Sequence, residues 1–222
     1  MTALLLYCAG DGGLQGAEPP DSGALGSSAA GATKCRFGAF VLESDPAGLN
    51  VRQTPGLSGK IIGVLPPVIA GDALDGYPVK VEVAILGARH GWFRIADAHD
   101  NTALTGNAAR PVFAGIGWVH GRKLTVKSQA QQGYLQPDET AARALHLRDG
   151  SGLDNDALVH AGQLIACQGD WALVEFAQDK LSAAMTKLTV IAPAARAGLP
   201  AGHFRAWVNR LCALQETRCD GP

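Results

Sequence analysis

The sequence has little charge and no excess of either sign. Its 222 residues include 19 Lys and Arg against 20 Asp and Glu, and charged residues make up 18% of the chain. Nucleic-acid binding requires a basic surface that displaces counterions from phosphates. The balance of charge therefore predicts that nucleic acid is not a partner, and it does not favour adhesion to anionic lipid.

Long apolar runs are also absent, since no stretch approaches the roughly 20 apolar residues of a membrane-spanning helix. The short run before Cys8 is followed by Ala9 and Gly10, which resembles a bacterial lipoprotein cleavage site with Cys8 as the lipidated residue. The alternative is an ordinary disordered N-terminus. From Ala9 to Thr33, 18 of 25 residues are Gly, Ala, Ser or Pro, a composition typical of a flexible tether. Residues 1–34 are therefore predicted to be a tether or the remnant of a signal or lipoprotein segment.

Catalytic motifs are missing as well. Gly150-Ser151-Gly152 lacks the first glycine of a nucleophile elbow, and the segment ending in Gly59-Lys60 lacks the leading glycine of a phosphate-binding loop. The six histidines do not have the spacing of a zinc protease. The sequence predicts a protein that is not an enzyme and that has no cofactor and no metal.

Five cysteines are present, at positions 8, 35, 167, 212 and 219. With Cys8 set aside, the remaining four are compatible with two disulfides in an oxidising compartment. Cys212 and Cys219 bracket a short loop and could pair, in which case Cys35 and Cys167 would link the two halves of the chain. Three pairings of four cysteines exist, free buried thiols are a further alternative, and a zinc site is disfavoured because no Cys-x-x-Cys pair occurs.

Glycine and proline are abundant, with 28 and 12 residues, and they favour short elements joined by tight turns. Between Val79 and Ile85 every second residue is apolar, which predicts a strand with one buried face. Similar short runs are separated by turn signals such as Asp45-Pro46-Ala47-Gly48. The pattern predicts an all-β protein, with short helices over Asp138 to Leu147 and Asp179 to Leu188.

The second half repeats the first in outline, with different loop lengths, which suggests a duplicated small domain. Three segments of the first half have counterparts in the second. The pairs are Leu49 to Arg52 with Leu145 to Arg148, Gly91 to Ile95 with Gly169 to Val174, and Gly117 to Val119 with Ala206 to Val208.

At these segments the chain resembles the bacterial SH3-like (SH3b) domains, in which a Leu-Asn-Val-Arg strand, a Gly-Trp strand and a Gly-Trp-Val segment follow one another. The resemblance covers Ala39 to Val126 well and Gln136 to Cys219 more weakly, because His146 replaces Asn and Ala206 replaces Gly. It implies two tandem SH3-like β-barrels, residues 35–128 and a divergent copy at 129–222. It further implies a non-catalytic module that binds peptidoglycan stem peptides or protein partners.

Five residues are candidates for ligand contact. Tyr77 lies in a loop expected to flank the groove of a small barrel, and the others flank the Gly-Trp turns: His90, Trp92, Asp170 and Trp171. Each has a structural alternative, because tryptophans fill the cores of small barrels and residues beside a turn glycine are often only solvated.

Two functions follow from these expectations. The first is a periplasmic or cell-envelope binding protein for peptidoglycan peptide, attached to the membrane only through a lipid at Cys8. The second is a protein–protein partner, such as an inhibitor, an immunity-like protein or an assembly factor. Exposed apolar patches would favour the second, and a polar groove with aromatic rims would favour the first.

Overall fold

The computed structural model describes residues 31–70, 78–102 and 108–213. Its first half contains β1 (Thr33–Val41), β2 (Leu49–Arg52), β3 (Ile61–Leu65), β4 (Ile69–Ala70), β5 (Pro78–Val79), β6 (Glu82–Arg89), β7 (Trp92–His99), β8 (Gly117–His120), β9 (Leu124–Thr125) and β10 (Lys127–Ser128). Its second half contains β11 (Gln132–Tyr134), β12 (Arg143–Leu147), β13 (Gly162–Gln168), β14 (Trp171–Ala177), β15 (Thr189–Ile191), β16 (His203–Val208) and β17 (Leu211–Cys212).

Helical structure in the described residues is short. Two α-helices, α1 (Asp156–Ala161) and α2 (Ala183–Leu188), are accompanied by 3-10 turns at Gly121–Lys123, Gln178–Lys180 and Pro193–Arg196. The all-β prediction is confirmed. No helix of the described residues is long and apolar enough to span a membrane.

Two antiparallel sheets contain most strands. The first sheet has the order β3-β2-β8-β7-β6-β1-β9 and the second β13-β14-β16-β11-β12-β15, while β4–β5 and β10–β17 form two small ladders. Among the described strands, β3 and β9 at the two edges of the first sheet each pair with one neighbour, so the sheet is open. The finer prediction, two tandem SH3-like β-barrels, is not confirmed and stays a prediction.

The sheets divide along the chain between Ser128 and Gln132, where the predicted domain boundary also falls. Residues from Gly31 onward nevertheless form one compact unit. One cluster of buried apolar side chains runs through both halves, and it includes Phe93 from the first sheet and Phe204 from the second. The division into two domains, residues 35–128 and 129–222, therefore stays a prediction.

The apolar positions between Val79 and Ile85 are buried as predicted, but the segment does not have one exposed face, because Lys80 and Glu82 are only 7% and 2% exposed. Val79, Val81, Val83 and Ile85 are all buried, although the strand is interrupted between Val79 and Glu82. The predicted helix over Asp179 to Leu188 is present only in part, as the 3-10 turn Gln178–Lys180 followed by α2. The one over Asp138 to Leu147 is wrong: Arg143–Leu147 is β12, because its backbone pairs with β11 on one side and β15 on the other.

The same five-strand arrangement occurs in both sheets. The order β3-β2-β8-β7-β6 in the first corresponds to β12-β11-β16-β14-β13 in the second. The register also corresponds, since Trp118 lies opposite Arg52 and Arg94, and Trp207 lies opposite Tyr134 and Leu173.

The correspondence between the two sheets confirms two of the three repeated segment pairs suggested by the sequence. These are Gly91–Ile95 with Gly169–Val174, and Gly117–Val119 with Ala206–Val208. The third suggested pair, Leu49 to Arg52 with Leu145 to Arg148, is wrong. The strand equivalent to Leu49–Arg52 is Gln132–Tyr134, and Leu145 to Arg148 corresponds to the following strand instead. The sequence misleads here because Gln132–Tyr134 retains none of the Leu-Asn-Val-Arg pattern.

Candidate functional site

The described ligand candidates lie at the tips of two equivalent hairpins. Trp92 pairs with Arg89 across the β6–β7 turn, and Trp171 pairs with Gln168 across the β13–β14 turn. His90 and Asp170 are the exposed residues beside them. Tyr77 lies outside the described residues.

His90 has a backbone role that the sequence did not indicate. It has a φ of 50° and Gly91 a φ of 77°, and a two-residue turn with both central residues in the left-handed region is the type I′ hairpin turn. His90 therefore occupies a position that Asn or Gly would fill with less strain.

The four tryptophans differ in solvent exposure between the first and the second half of the chain. Trp92 and Trp118 in the first sheet are only 9% and 1% exposed, and the ring of Trp92 meets His120 edge-on with ring centroids 5.2 Å apart. Trp171 and Trp207 in the second sheet are half-buried. Trp92 and Trp118 therefore fit the interpretation of these tryptophans as core residues. Trp171 and Trp207 retain surface that a ligand can contact.

The two half-buried tryptophans, Trp171 and Trp207, belong to one face of the second sheet. Directly paired residues share a face, so Tyr134 and Leu173 lie on the same side as Trp207. Trp171 lies two residues before Leu173 on β14 and joins the same side. The set Tyr134, Trp171, Leu173 and Trp207 is called the aromatic face below.

Tyr134 separates two clefts in this region. A cleft of about 190 Å³, the polar cleft, is lined by Ala130, Gln131, Gln132, Tyr134, Glu139, Asn209 and Arg210. A cleft of about 210 Å³, the apolar cleft, is lined by Tyr134, Leu135, Leu173, Ala194, Ala195, Ala197, Leu199, Arg205 and Trp207. The buried Tyr134 ring forms a wall of both clefts.

Hydrogen bonds fix the polar cleft. The amide of Gln132 donates to the Tyr134 hydroxyl at 2.8 Å, and the amide of Asn209 donates to the Glu139 carboxylate at 2.7 Å. Arg210 has a φ of 50°, and its carbonyl accepts a hydrogen bond from the backbone of Gln129. The cleft is thus lined by an acidic residue, Glu139, and a basic residue, Arg210, whose backbone is held by a hydrogen bond.

The positively charged side chain of Arg205 lies at the edge of the apolar cleft. The Arg205 guanidinium donates to the buried Glu175 carboxylate from Nε at 2.8 Å and lies 2.7 Å away at Nη2. His203 Nδ1 lies 3.1 Å from the other carboxylate oxygen. Burial acts to raise the pKa of Glu175, but the hydrogen bonds from Arg205 and His203 outweigh it and hold this pKa below its ordinary value. Glu175 therefore remains a carboxylate that orients Arg205.

The Trp171 hairpin is fixed to β1 by a covalent and a backbone link. Cys35 and Cys167 form a disulfide, with Cα atoms 6.0 Å apart, which is one of the pairings that the sequence left open. Beside it, Gly169 N–H donates to the Lys34 carbonyl, and Arg36 N–H donates to the Gly169 carbonyl, both at 3.0 Å. Cys212 is also disulfide-bonded, while Cys8 and Cys219 lie outside the described residues. Such bridges are typical of an oxidising compartment.

Most of the residues that line the two clefts were not predicted from the sequence. Tyr134, Arg205 and Trp207 were not among the ligand candidates, although the apolar residues Phe204, Ala206 and Val208 at every second position were a usable signal for the strand that carries Arg205 and Trp207. Within residues 31–70, 78–102 and 108–213, no three His, Cys, Asp or Glu side chains are grouped to hold a metal ion.

No family model, curated protein or solved structure matches the chain.

Proposed function

We propose that this chain is a non-catalytic binding protein of the bacterial cell envelope, and that its ligand is the peptide part of peptidoglycan. The proposal extends the resemblance to tandem SH3-like barrels, with the second copy as the binding copy. The oxidising environment implied by the Cys35–Cys167 disulfide is consistent with the periplasm.

The observation that carries the proposal is Arg205 at the edge of the apolar cleft. Its guanidinium is oriented by Glu175 while Trp207 and Leu173 supply apolar walls. A guanidinium group binds carboxylates with directional hydrogen bonds, and apolar walls receive aliphatic side chains. A short peptide with a carboxylate next to small aliphatic side chains satisfies both features.

The size of the clefts supports a peptide over a large cofactor. Each cleft is near 200 Å³, below the roughly 300–1,000 Å³ of drug-sized pockets. Two small clefts on either side of Tyr134 suit an extended ligand that places one group in each. Because little area is buried, we expect a dissociation constant in the micromolar range.

Sedimentation with purified peptidoglycan tests the proposal. The wild-type chain should sediment with the wall, and Trp207→Ala should weaken the affinity by about tenfold, the equivalent of roughly 1.4 kcal/mol for a central aromatic contact. Leu86→Ala is the matched control, because Leu86 is an exposed apolar residue on β6. Absence of wild-type sedimentation at low salt, or equal binding by Trp207→Ala, would reject the proposal.

A second candidate function, a protein–protein partner, is favoured by a different observation. The large apolar side chains that are exposed in the described residues all belong to the first half of the chain, and none of them lines either of the two clefts. Exposed apolar surface of this kind marks interaction sites in soluble proteins. The two functions use different surfaces and are compatible with each other.

A further inference from the structure

A third cleft, the first-sheet cleft, has a volume of about 540 Å³ and is larger than the two beside Tyr134. Its volume falls within the roughly 300–1,000 Å³ that is typical of small-molecule sites. The lining is mostly apolar and includes Phe37, Leu86 and Leu211. This cleft has no part in the function proposed above.

The floor of the first-sheet cleft consists of small residues. Gly38 on β1 and Ala84 on β6 are directly paired, and both line the cleft. A Cβ atom at Gly38 would lie 2.5 Å from the Cβ atom of Ala213, so the segment after β17 packs against β1 and forms a side wall. The small side chains on the floor and this wall give the cleft its depth.

A β-bulge brings an acidic side chain to one end of the cleft. Asp97 and Ala98 on β7 lie opposite Val83 alone, and Asp97 has a φ of 50°. The first residue of a bulge in this left-handed conformation is ordinarily glycine, and such bulges often redirect a side chain beside a binding site. Asp97 is exposed and lines the cleft.

A buried carboxylate holds this bulge in place. His99 Nδ1 lies 3.0 Å from the carbonyl oxygen of Asp97, and His99 Nε2 lies 2.8 Å from the Glu82 carboxylate. Glu82 is 2% exposed, and it also accepts a hydrogen bond from the Asn101 amide at 3.1 Å. Glu82 thus fixes His99, and His99 fixes the backbone that carries Asp97.

A positively charged side chain lines the other end of the cleft. Arg36 on β1 lies at the level of Leu86 on β6, whereas Asp97 on β7 lies at the level of Val83. At about 3.3 Å per residue and about 4.8 Å between neighbouring strands, the two backbone positions are about 14 Å apart. Among the described residues, neither the Arg36 guanidinium nor the Asp97 carboxylate forms a hydrogen bond or an ion pair. The cleft therefore offers two charges of opposite sign to a ligand.

We propose that the first-sheet cleft binds a short zwitterionic peptide, with its free amino group at Asp97 and its free carboxylate at Arg36. A guanidinium group binds a carboxylate with directional hydrogen bonds, and a carboxylate accepts them from an ammonium group. An extended tripeptide separates these two groups by about 10 Å, and the two side chains that reach into the cleft cover the remaining distance. Phe37 and Leu86 contact the apolar side chains between the two ends.

This site differs from the aromatic face in position and in ligand. Its residues come from the first sheet and from the segment at β17, whereas the aromatic face belongs to the second sheet. A peptide whose amino end is joined to another group cannot supply the ammonium group at Asp97. The first-sheet cleft is therefore selective for free peptides.

Titration of the isotope-labelled chain with unblocked trileucine, followed by two-dimensional proton–nitrogen NMR, tests the proposal. The backbone signals of Gly38, Ala84 and Leu86 should shift in a saturable way. We expect a dissociation constant in the high-micromolar to millimolar range, because little area is buried. Acetylation of the amino group of trileucine should weaken binding about fivefold, and amidation of its carboxylate should do the same.

Two variants assign the two ends of the ligand separately. Asp97→Asn retains the side-chain size and tolerates the left-handed φ; it should bind trileucine about fivefold more weakly and no longer distinguish it from the acetylated form. Arg36→Gln should lose the distinction between the acid and the amide. Lys34→Gln is the matched control, because Lys34 is an exposed cation on the same strand that does not line the cleft. Thermal unfolding checks that each variant is folded.

Loss of the amino-end preference in Asp97→Asn alone, and of the carboxylate preference in Arg36→Gln alone, would support the site. Four results would overturn it: no saturable shift in the wild type, shifts away from the cleft, no effect of blocking either end, or equal weakening by Lys34→Gln. Sedimentation of Asp97→Asn with peptidoglycan should stay at the wild-type level, because Asp97 belongs to the first sheet. Failure of this proposal is thereby distinguished from failure of the proposed function.

Discussion

The rings of Tyr134 and Trp171 meet edge to face, with centroids 5.6 Å apart and planes at 77°. Tyr134 is the wall between the two clefts, and Trp171 comes from the tip of the β13–β14 hairpin. The contact therefore links the position of the hairpin to the shape of the clefts.

Replacing Trp171 should affect both stability and binding. An aromatic pair of this geometry contributes about 0.5–1.5 kcal/mol beyond its buried area. We expect Trp171→Leu to lower the free energy of unfolding by about 1–2 kcal/mol and to weaken sedimentation with peptidoglycan. Trp92→Leu is the matched control, because Trp92 occupies the equivalent position in the first sheet; it should lower stability and leave binding unchanged. Equal loss of binding in both variants would argue against the aromatic face as the ligand-binding surface.

Removing the disulfide should loosen the same hairpin. Cys35 and Cys167 are 132 residues apart in sequence, and loss of a native bridge typically costs about 2–5 kcal/mol. The double variant Cys35→Ala/Cys167→Ala should unfold at a lower temperature, and at a temperature where it is still folded it should bind peptidoglycan more weakly. Thermal melts and sedimentation at matched folded fraction measure the two effects. Unchanged affinity in the folded variant would mean that the backbone hydrogen bonds at Gly169 are sufficient to hold the turn.

The buried pair of Asp100 and Arg110 predicts a pH dependence of stability. Arg110 donates to Asp100 from its backbone and its side chain, and the carboxylate is fully buried. These bonds outweigh the opposing effect of burial and hold the pKa of Asp100 below its ordinary value. The stabilisation is therefore present above the unfolded-state pKa near 3.8 and is lost as the pH falls through the lower pKa of the folded state.

Arg110→Gln should lower the free energy of unfolding by about 3 kcal/mol at neutral pH, since it leaves a buried carboxylate without its partner. The difference from wild type should shrink as the solution is acidified below the ordinary range of Asp carboxyls. Denaturant unfolding of both proteins between neutral and acidic pH measures it. A difference that stays constant with pH would contradict the assignment.

One substitution should increase stability. His90 occupies the first left-handed position of a type I′ turn, and Asn-Gly is the preferred sequence there. His90→Asn should raise the free energy of unfolding by about 0.5–1 kcal/mol, as measured by denaturant titration. If ligand contact is the main role of His90, the same variant should also weaken binding, whereas we expect binding to be unchanged.

The sequence predicts the fold class because its signals are local. The buried apolar positions from Val79 to Ile85 follow from alternation, whereas the burial of Lys80 and Glu82 between them does not, and the turn before Leu49 follows from Asp45 and Gly48. Arg143–Leu147 was mistaken for a helix because neither of its neighbouring strands is visible in a local window. Sheet pairing, which decides such segments, depends on residues far away in sequence.

The site is predicted only in part for the same reason. Trp171 is found from its Gly-Asp-Trp context, but the exposure that distinguishes it from Trp92 arises from packing between distant segments. Tyr134 acquires its role by lying opposite Trp207, 73 positions away in the chain. The exposure of Ile61, Ile62 and Val64 on β3 also could not be predicted, because an apolar run of this kind is ordinarily buried.

The most direct test of the central claim uses the four tryptophans as reporters. Their indole N–H signals in a two-dimensional proton–nitrogen NMR spectrum can be assigned with single Trp→Phe variants, and the labelled chain can then be titrated with soluble peptidoglycan fragments. Ligand binding at the aromatic face predicts that the signals of Trp171 and Trp207 shift in a saturable way while those of Trp92 and Trp118 stay in place. Shifts confined to Trp92 and Trp118, or no shift at any of the four, would contradict the account.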